Sequence, residues 1–182
     1  MSSIDLVILG IVSEKPCSAY DIQKDVEYHH LSRWTKISVP SVYRKVLQLY
    51  KKGCLKSDTV RGSKFAEKAV YSITDEGKKY FRELMEEYAQ KSVPLLFDFN
   101  VVVTNLNKLE KDEALGLIST LKQSISDSAG QNNRYAMQYA DLPLVGITIL
   151  EQQRLLYDAL LKWIDGFEAQ FKNEQQHTDH TV

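Results

Sequence analysis

The sequence predicts a mainly α-helical chain that carries one β-hairpin and divides into two parts. Three observations predict it. Apolar residues recur at spacings of three and four over most of the chain. The period changes only between Cys54 and Thr74, where two short runs flank a glycine-bearing loop. Pro94 then interrupts the helical pattern, and the charge balance reverses sign near it.

The elements follow in order. Ile4 to Ser13 (IDLVILGIVS) is almost wholly apolar and reads as a short buried helix, broken by Glu14-Lys15-Pro16. Ser18 caps a second helix, in which Ala19, Ile22 and Val26 face inward and Asp21, Gln23, Lys24, Asp25 and Glu27 outward. His29 to Lys36, with Trp34, makes the turn into a third helix within KISVPSVYRKVLQLYKKGCL. There Val39, Val42, Val46 and Leu49 share an apolar face, and Ser38, Ser41, Arg44, Lys45 and Gln48 fall on the opposite arc. Ser38 suits the N-cap, Pro40 the first turn, and Gly53 the stop. Cys54 to Val60 and Ala69 to Thr74 read as two strands around the tip Arg61-Gly62-Ser63-Lys64. Thr74 then caps a helix to about Ala89, with Tyr80, Phe81, Leu84, Met85 and Tyr88 on its apolar side.

Ser92 to Asn105 is too apolar for a free linker and is expected to pack as a short helix. The spacing Ala114, Ile118, Leu121, Ile125 predicts a long helix from Glu110 to about Tyr139. The final helix carries two apolar stripes: Leu142, Val145, Ile149, Leu156, Leu160, Trp163 and Phe167, and beside it Ile147, Leu150, Tyr157, Leu161 and Ile164. Two stripes exceed what one intramolecular partner covers, and the remainder predicts contact with a second copy of the chain. NEQQHTDHTV is polar and expected to be disordered.

Two helices joined by a turn, then a hairpin and another helix, make a winged helix-turn-helix. The expected organisation is residues 1–91 as that domain, 92–174 as a helical dimerisation domain with a possible effector site, and 175–182 as a tail. The basic charge sits with the first part. Residues 1–85 hold 15 Lys and Arg against 10 Asp and Glu, while residues 86–182 hold 8 against 14. His30 to Arg82 alone holds 13 basic and 4 acidic residues. Such a segment suits a localised polyanion contact or, more blandly, a lysine-rich solvated face.

Other classes find little support. Cys17 and Cys54 form neither a CxxC nor a cluster with the histidines, so no disulfide scaffold or zinc site is expected; the pair is incidental or redox-sensing. Met1 to Ser13 lacks a basic leader and cleavage site, and no apolar run reaches the roughly 20 residues of a membrane helix. The expectation is a cytoplasmic protein away from membranes. There is no nucleophile–base constellation, metal cluster or glycine-rich phosphate loop, so neither enzymatic activity nor a cofactor is expected.

Three motifs resemble the PadR family of transcriptional regulators. Leu9-Gly10-Ile11-Val12 with Ser18-Ala19-Tyr20-Asp21-Ile22 is similar to its opening pattern. Ser38-Val39-Pro40-Ser41-Val42-Tyr43, with Leu49 and Lys52-Gly53, resembles its recognition helix. Val70-Tyr71-Ser72-Ile73-Thr74-Asp75-Glu76-Gly77-Lys78 resembles the family's strand and helix start, the most specific of the three. Pro40 stands where the family usually has glycine, and Arg44-Lys45 where it usually has Pro-Ala. The long helical remainder is similar to the larger subfamily, whose C-terminal helices dimerise.

The resemblance implies a homodimer on double-stranded DNA, acting as a repressor released by a small aromatic or hydrophobic effector bound between the halves. Lys36, Ser38, Pro40, Ser41, Tyr43, Arg44, Lys45, Arg61 and Lys64 are the candidate DNA contacts. Ser38, Ser41 and Arg44 lie at the end of the helix that enters the groove, and arginine matches guanine O6 and N7. Tyr43 either bonds a phosphate, as its family position suggests, or only packs. Lys45 either contacts DNA or is a solvated charge. Arg61 and Lys64 fall where a wing touches phosphate or the minor groove. Phe97, Phe99, Tyr135, Tyr139, Tyr157 and Trp163 stack on a ligand or form core; Arg134 and Arg154 pair a carboxylate or lie on the surface. The rival reading is a winged helix used only for protein–protein assembly.

Overall fold

The long helices form where the apolar spacing puts them, and the side chains of Ser18 and Thr74 cap two of them. The computed structural model describes residues 2–31, 35, 37–61, 67–138 and 142–174. The elements are α1 (Ser3–Glu14), α2 (Ala19–Tyr28), α3 (Val42–Lys51), β1 (Leu55–Arg61), β2 (Glu67–Ile73), α4 (Asp75–Gln90), α5 (Asn100–Val103), α6 (Lys111–Gln138) and α7 (Leu144–Asn173), with 3-10 turns at Val39–Ser41 and Leu106–Lys108. They belong to two compact units, Met1–Pro94 and Leu95–Val182. Trp34, Lys36, Lys64, Tyr139 and the tail 175–182 lie outside the described residues.

In the first unit α1 to α4 enclose one core. Ile8, Leu9, Ile22, Val26, Val42, Val46, Leu49, Leu55 and Leu84 are fully buried in it. Each such side chain contributes about 1.5–3 kcal/mol by leaving water. Val39, Tyr80, Phe81 and Tyr88 pack against its edge, whereas Met85, predicted for the same apolar side of α4, is exposed. β1 and β2 pair antiparallel from Leu55↔Ile73 to Arg61↔Glu67. Cys17 adds a one-residue bridge to Tyr71, its amide donating at 3.1 Å and its carbonyl accepting at 2.9 Å. Both cysteines are buried free thiols, and burial raises their pKa above the ordinary value. That protonated state suits packing better than redox sensing.

Ser18 starts α2 with a reciprocal capping box. Its hydroxyl accepts from the Asp21 amide at 3.2 Å, and the Asp21 carboxylate accepts from the Ser18 amide at 3.1 Å. Lys68 on β2 donates to the same carboxylate at 2.8 Å, which ties the wing to the cap. The Lys68 and Ser18 hydrogen bonds hold the Asp21 carboxyl at about 2, below its ordinary 3.8. A depressed carboxyl stabilises the fold above its unfolded value and loses that contribution as pH falls through the folded value. Both side chains are about half exposed, so solvent screens the pair and the cap sets the scale. Asp21→Asn is expected to cost about 1 kcal/mol at neutral pH. In urea unfolding that deficit should shrink between pH 4 and pH 2; a deficit independent of pH would contradict the assignment.

The α3 stop is a Schellman turn. Gly53 takes φ +76°, its amide donates to Tyr50 O at 3.0 Å, and the Cys54 amide donates to Leu49 O at 3.0 Å. Thr74 locks onto this turn, donating from Oγ1 to Gly53 O at 2.6 Å and from its amide to Cys54 O at 3.1 Å. It also caps α4 by accepting from the Gly77 amide at 3.0 Å. The end of α3 and the start of α4 are therefore one joint.

In the second unit α6 and α7 form an antiparallel pair around Ala114, Ile118, Ile125 and Ile164. Lys111 at the start of α6 donates to the carbonyls of Lys172 (2.8 Å) and Glu174 (2.9 Å) at the end of α7. Lys122 pairs with Asp165 at 2.7 Å. The SISDSAGQNN patch, polar as it is, stays helical throughout. The stretch 92–97 is not the expected short helix. It is irregular, Val93, Leu95 and Leu96 are exposed, and the helix begins only at Asn100. Pro94 accounts for the break, because it removes an amide donor and biases Val93 away from helical geometry.

Candidate nucleic-acid interface

Helix α3 carries the candidate surface. At about 100° per residue, the buried Val42, Val46 and Leu49 mark its inward side. Arg44, Leu47, Gln48 and Lys51 then span an arc of roughly 100° centred opposite that side, and all four are exposed. Arg44 forms no ion pair among the described residues. Ser38 and Pro40, both exposed, and the half-buried Ser41 line the amino-terminal approach to this arc. Exposed Lys52 lies 5.6 Å from the Tyr80 ring centroid, a cation–π distance that keeps its charge at the surface.

The helix start differs from the expectation. Ser38 does not cap α3; it precedes the 3-10 turn Val39–Ser41, and its side chain makes no cap hydrogen bond. The Ser41 side chain makes none either, and α3 proper begins at Val42. Pro40 favours this tight entry, since it lacks an amide proton and its φ is already set.

One flank of α3 faces the wing. Tyr50 meets the buried Tyr71 ring of β2 edge-on at 6.0 Å. Burial, and then the neighbouring phenols of Tyr43 and Tyr50, push the Tyr71 hydroxyl above its ordinary pKa. Tyr43 itself is exposed beside this cluster. The other flank faces α1, and it takes Lys45 with it. The Lys45 ammonium lies 3.2 Å from Oδ1 of Asp5, a carboxylate only 3% exposed. Of the readings of Lys45 this contact supports neither groove binding nor a solvated charge, because its side chain is held at a helix–helix junction. Arg61 ends β1 in register with Glu67, and its side chain, like Lys36 and Lys64, is outside the described set.

Two residues of this arc carry no expected role from the sequence: Gln48, which falls on the polar arc, and Leu47. The signal for both was available in the angular spacing from Arg44. Elsewhere, Phe97, Phe99, Trp163 and Phe167 stack successively at 5.1, 5.8 and 5.9 Å. Tyr135 is buried, and Tyr157 packs on the second core. That arrangement favours packing over an open ligand platform. Arg154 is taken by Glu151 and Asp158, both at 2.6 Å, so it is a surface residue paired along its own helix. Among the described residues no cluster of His, Cys, Asp and Glu could hold a metal, and no helix is long and apolar enough to cross a membrane.

Comparison with known proteins adds three findings. The sequence model of the Transcriptional regulator PadR-like family matches residues 8–83. No curated protein matches the chain. Among solved structures the chain resembles Bacillus subtilis PadR in complex with operator DNA, at 16% identity, 94% coverage of this chain, 98% of that one and a TM-score of 0.74. It resembles the same protein in complex with p-coumaric acid at 16% identity, 93% and 98% coverage and a TM-score of 0.73. It also resembles the Vibrio cholerae virulence activator AphA, at 19% identity, 94% and 99% coverage and a TM-score of 0.68. At such identities these likenesses establish a shared fold.

Proposed function

We propose, from the match of residues 8–83 to the PadR-like family of transcriptional regulators, that the chain is a homodimer binding specific double-stranded DNA sites and repressing until a small effector releases it. One observation carries this reading. The exposed arc of α3 collects Arg44, Gln48 and Lys51, with Arg44 unpaired among the described residues, in a unit whose first strand adds the exposed Lys56. Arg44 takes guanine or phosphate, Lys51 takes phosphate, and Ser38, Ser41 and Tyr43 set the register on the backbone.

Dimerisation is supported by α7, which exposes Leu144, Val145, Ile147, Leu155, Leu156 and Trp163 in the single chain. Two copies would present two α3 helices to half-sites about one helical turn, ~34 Å, apart. An aromatic acid is the effector class suggested by the p-coumaric acid complex of Bacillus subtilis PadR. Such a ligand releases DNA only by binding the released state better than the bound one.

The test is binding to the DNA upstream of the chain's own gene, and to a random-sequence pool, over a salt series. Wild type should bind with two protomers per duplex, losing affinity steeply as salt rises. Arg44→Ala should weaken specific binding by about 1–3 kcal/mol. Absence of binding to either DNA at low salt would sink the reading and leave a protein–protein assembly module in its place.

A further inference from the structure

We propose that Leu47 is a specificity-determining residue that reads the C5-methyl group of a thymine in each DNA half-site. The inference rests on the DNA-binding reading above and names one element of its recognition. Leu47 is 42% exposed on a ten-residue helix whose other branched aliphatic residues are all buried. It therefore contributes little to the core that α3 joins. A lone exposed leucine is unremarkable on most surfaces. Its position here is not, because it lies within the outward arc among Arg44, Gln48 and Lys51, one turn after Tyr43.

In the major groove that arc meets hydrogen-bond donors, acceptors and a single apolar feature, the thymine methyl. Arginine and glutamine are the side chains that fit guanine and adenine edges, and a branched aliphatic group fits the methyl. Leu47 sits three residues beyond Arg44 and next to Gln48, so all three can engage neighbouring base pairs. A lysine or glutamate at this place would make no such distinction between thymine and cytosine.

The experiment removes the methyl and nothing else. Once the bound site is mapped, each thymine is replaced in turn by deoxyuridine, and affinities are compared at one salt concentration for wild type and Leu47→Ala. In wild type one thymine per half-site should prove sensitive, at about fourfold per half-site and roughly fifteenfold when both are replaced. Leu47→Ala should bind the thymine and deoxyuridine duplexes equally and keep the wild-type salt slope, since no phosphate contact is lost. Its thermal unfolding should match wild type, because the side chain is outside the core. Equal wild-type binding at every replaced position, or full discrimination retained in Leu47→Ala, overturns the assignment while leaving DNA binding intact. Failure of the unmodified duplex to bind overturns the parent reading and this one together.

Discussion

Gly77→Ala is expected to lower stability by about 3 kcal/mol or more, although the same change within an ordinary helix raises it. Alanine is the better helix former by roughly 1 kcal/mol, and nothing in the α4 sequence announces an exception. The exception comes from the joint with α3. A Cβ at Gly77 would stand 2.0 Å from the Cys54 carbonyl oxygen, 2.8 Å from Ile73 Cγ1 and 3.0 Å from the Cys54 carbonyl carbon. The first and last of these are backbone atoms and cannot swing aside. That oxygen also accepts the Thr74 amide at 3.1 Å, so moving it breaks the cap of α4 as well. Either α4 backs away from the core it closes through Leu84, or the Schellman turn after α3 opens. Thermal unfolding should show a fall of ten degrees or more for a domain of this size. An unchanged or raised Tm would refute the joint.

Lys45→Met should have an effect of similar size for a different reason. Asp5 is the one buried carboxylate of α1, its side chain 5% exposed against 22% for that of Lys45, and their charged atoms are 3.2 Å apart. Among the described residues Asp5 Oδ1 has no aligned hydrogen bond, so the ammonium is its principal compensation; the phenol of Tyr80 stands near the same carboxylate. Removing one member of a buried pair leaves the other uncompensated and costs about 3–5 kcal/mol. Replacing both with apolar residues, as in Lys45→Met with Asp5→Leu, should restore most of the loss. Urea midpoints measure both effects. The DNA salt slope of folded Lys45→Met should match wild type, whereas a phosphate-binding lysine would lower the slope by about one. A stability loss under 1 kcal/mol together with a lowered slope would return Lys45 to the DNA face.

Much of this was legible beforehand, because caps and periodicity are local. Ser18 with Asp21 three residues on, Thr74 before Asp75 and Glu76, and Gly53 after a run of lysines each mark a helix end through groups a few residues apart. The three- and four-residue spacing of Val42, Val46 and Leu49 marks the inward side of α3 in the same way, and with it Arg44 on the outward side. The sequence by itself therefore determined the order of the elements, the hairpin after α3 and the location of the basic surface.

Tertiary structure decided the flanks. Residues 45 and 48 stand on the same side of the outward centre of α3, Lys45 the farther round, and helical periodicity alone leaves both on the polar arc. Lys45 is withdrawn because α1, forty residues away in the chain, places Asp5 beside it; Gln48 stays exposed. Gly77 is required because Cys54 approaches it from another element, whereas the place of Leu47 on the exposed arc follows from its spacing to Arg44 alone. The physical reason is common to Lys45 and Gly77. Periodicity records which way a side chain points, but its partner there belongs to a distant segment, and only packing brings the two together.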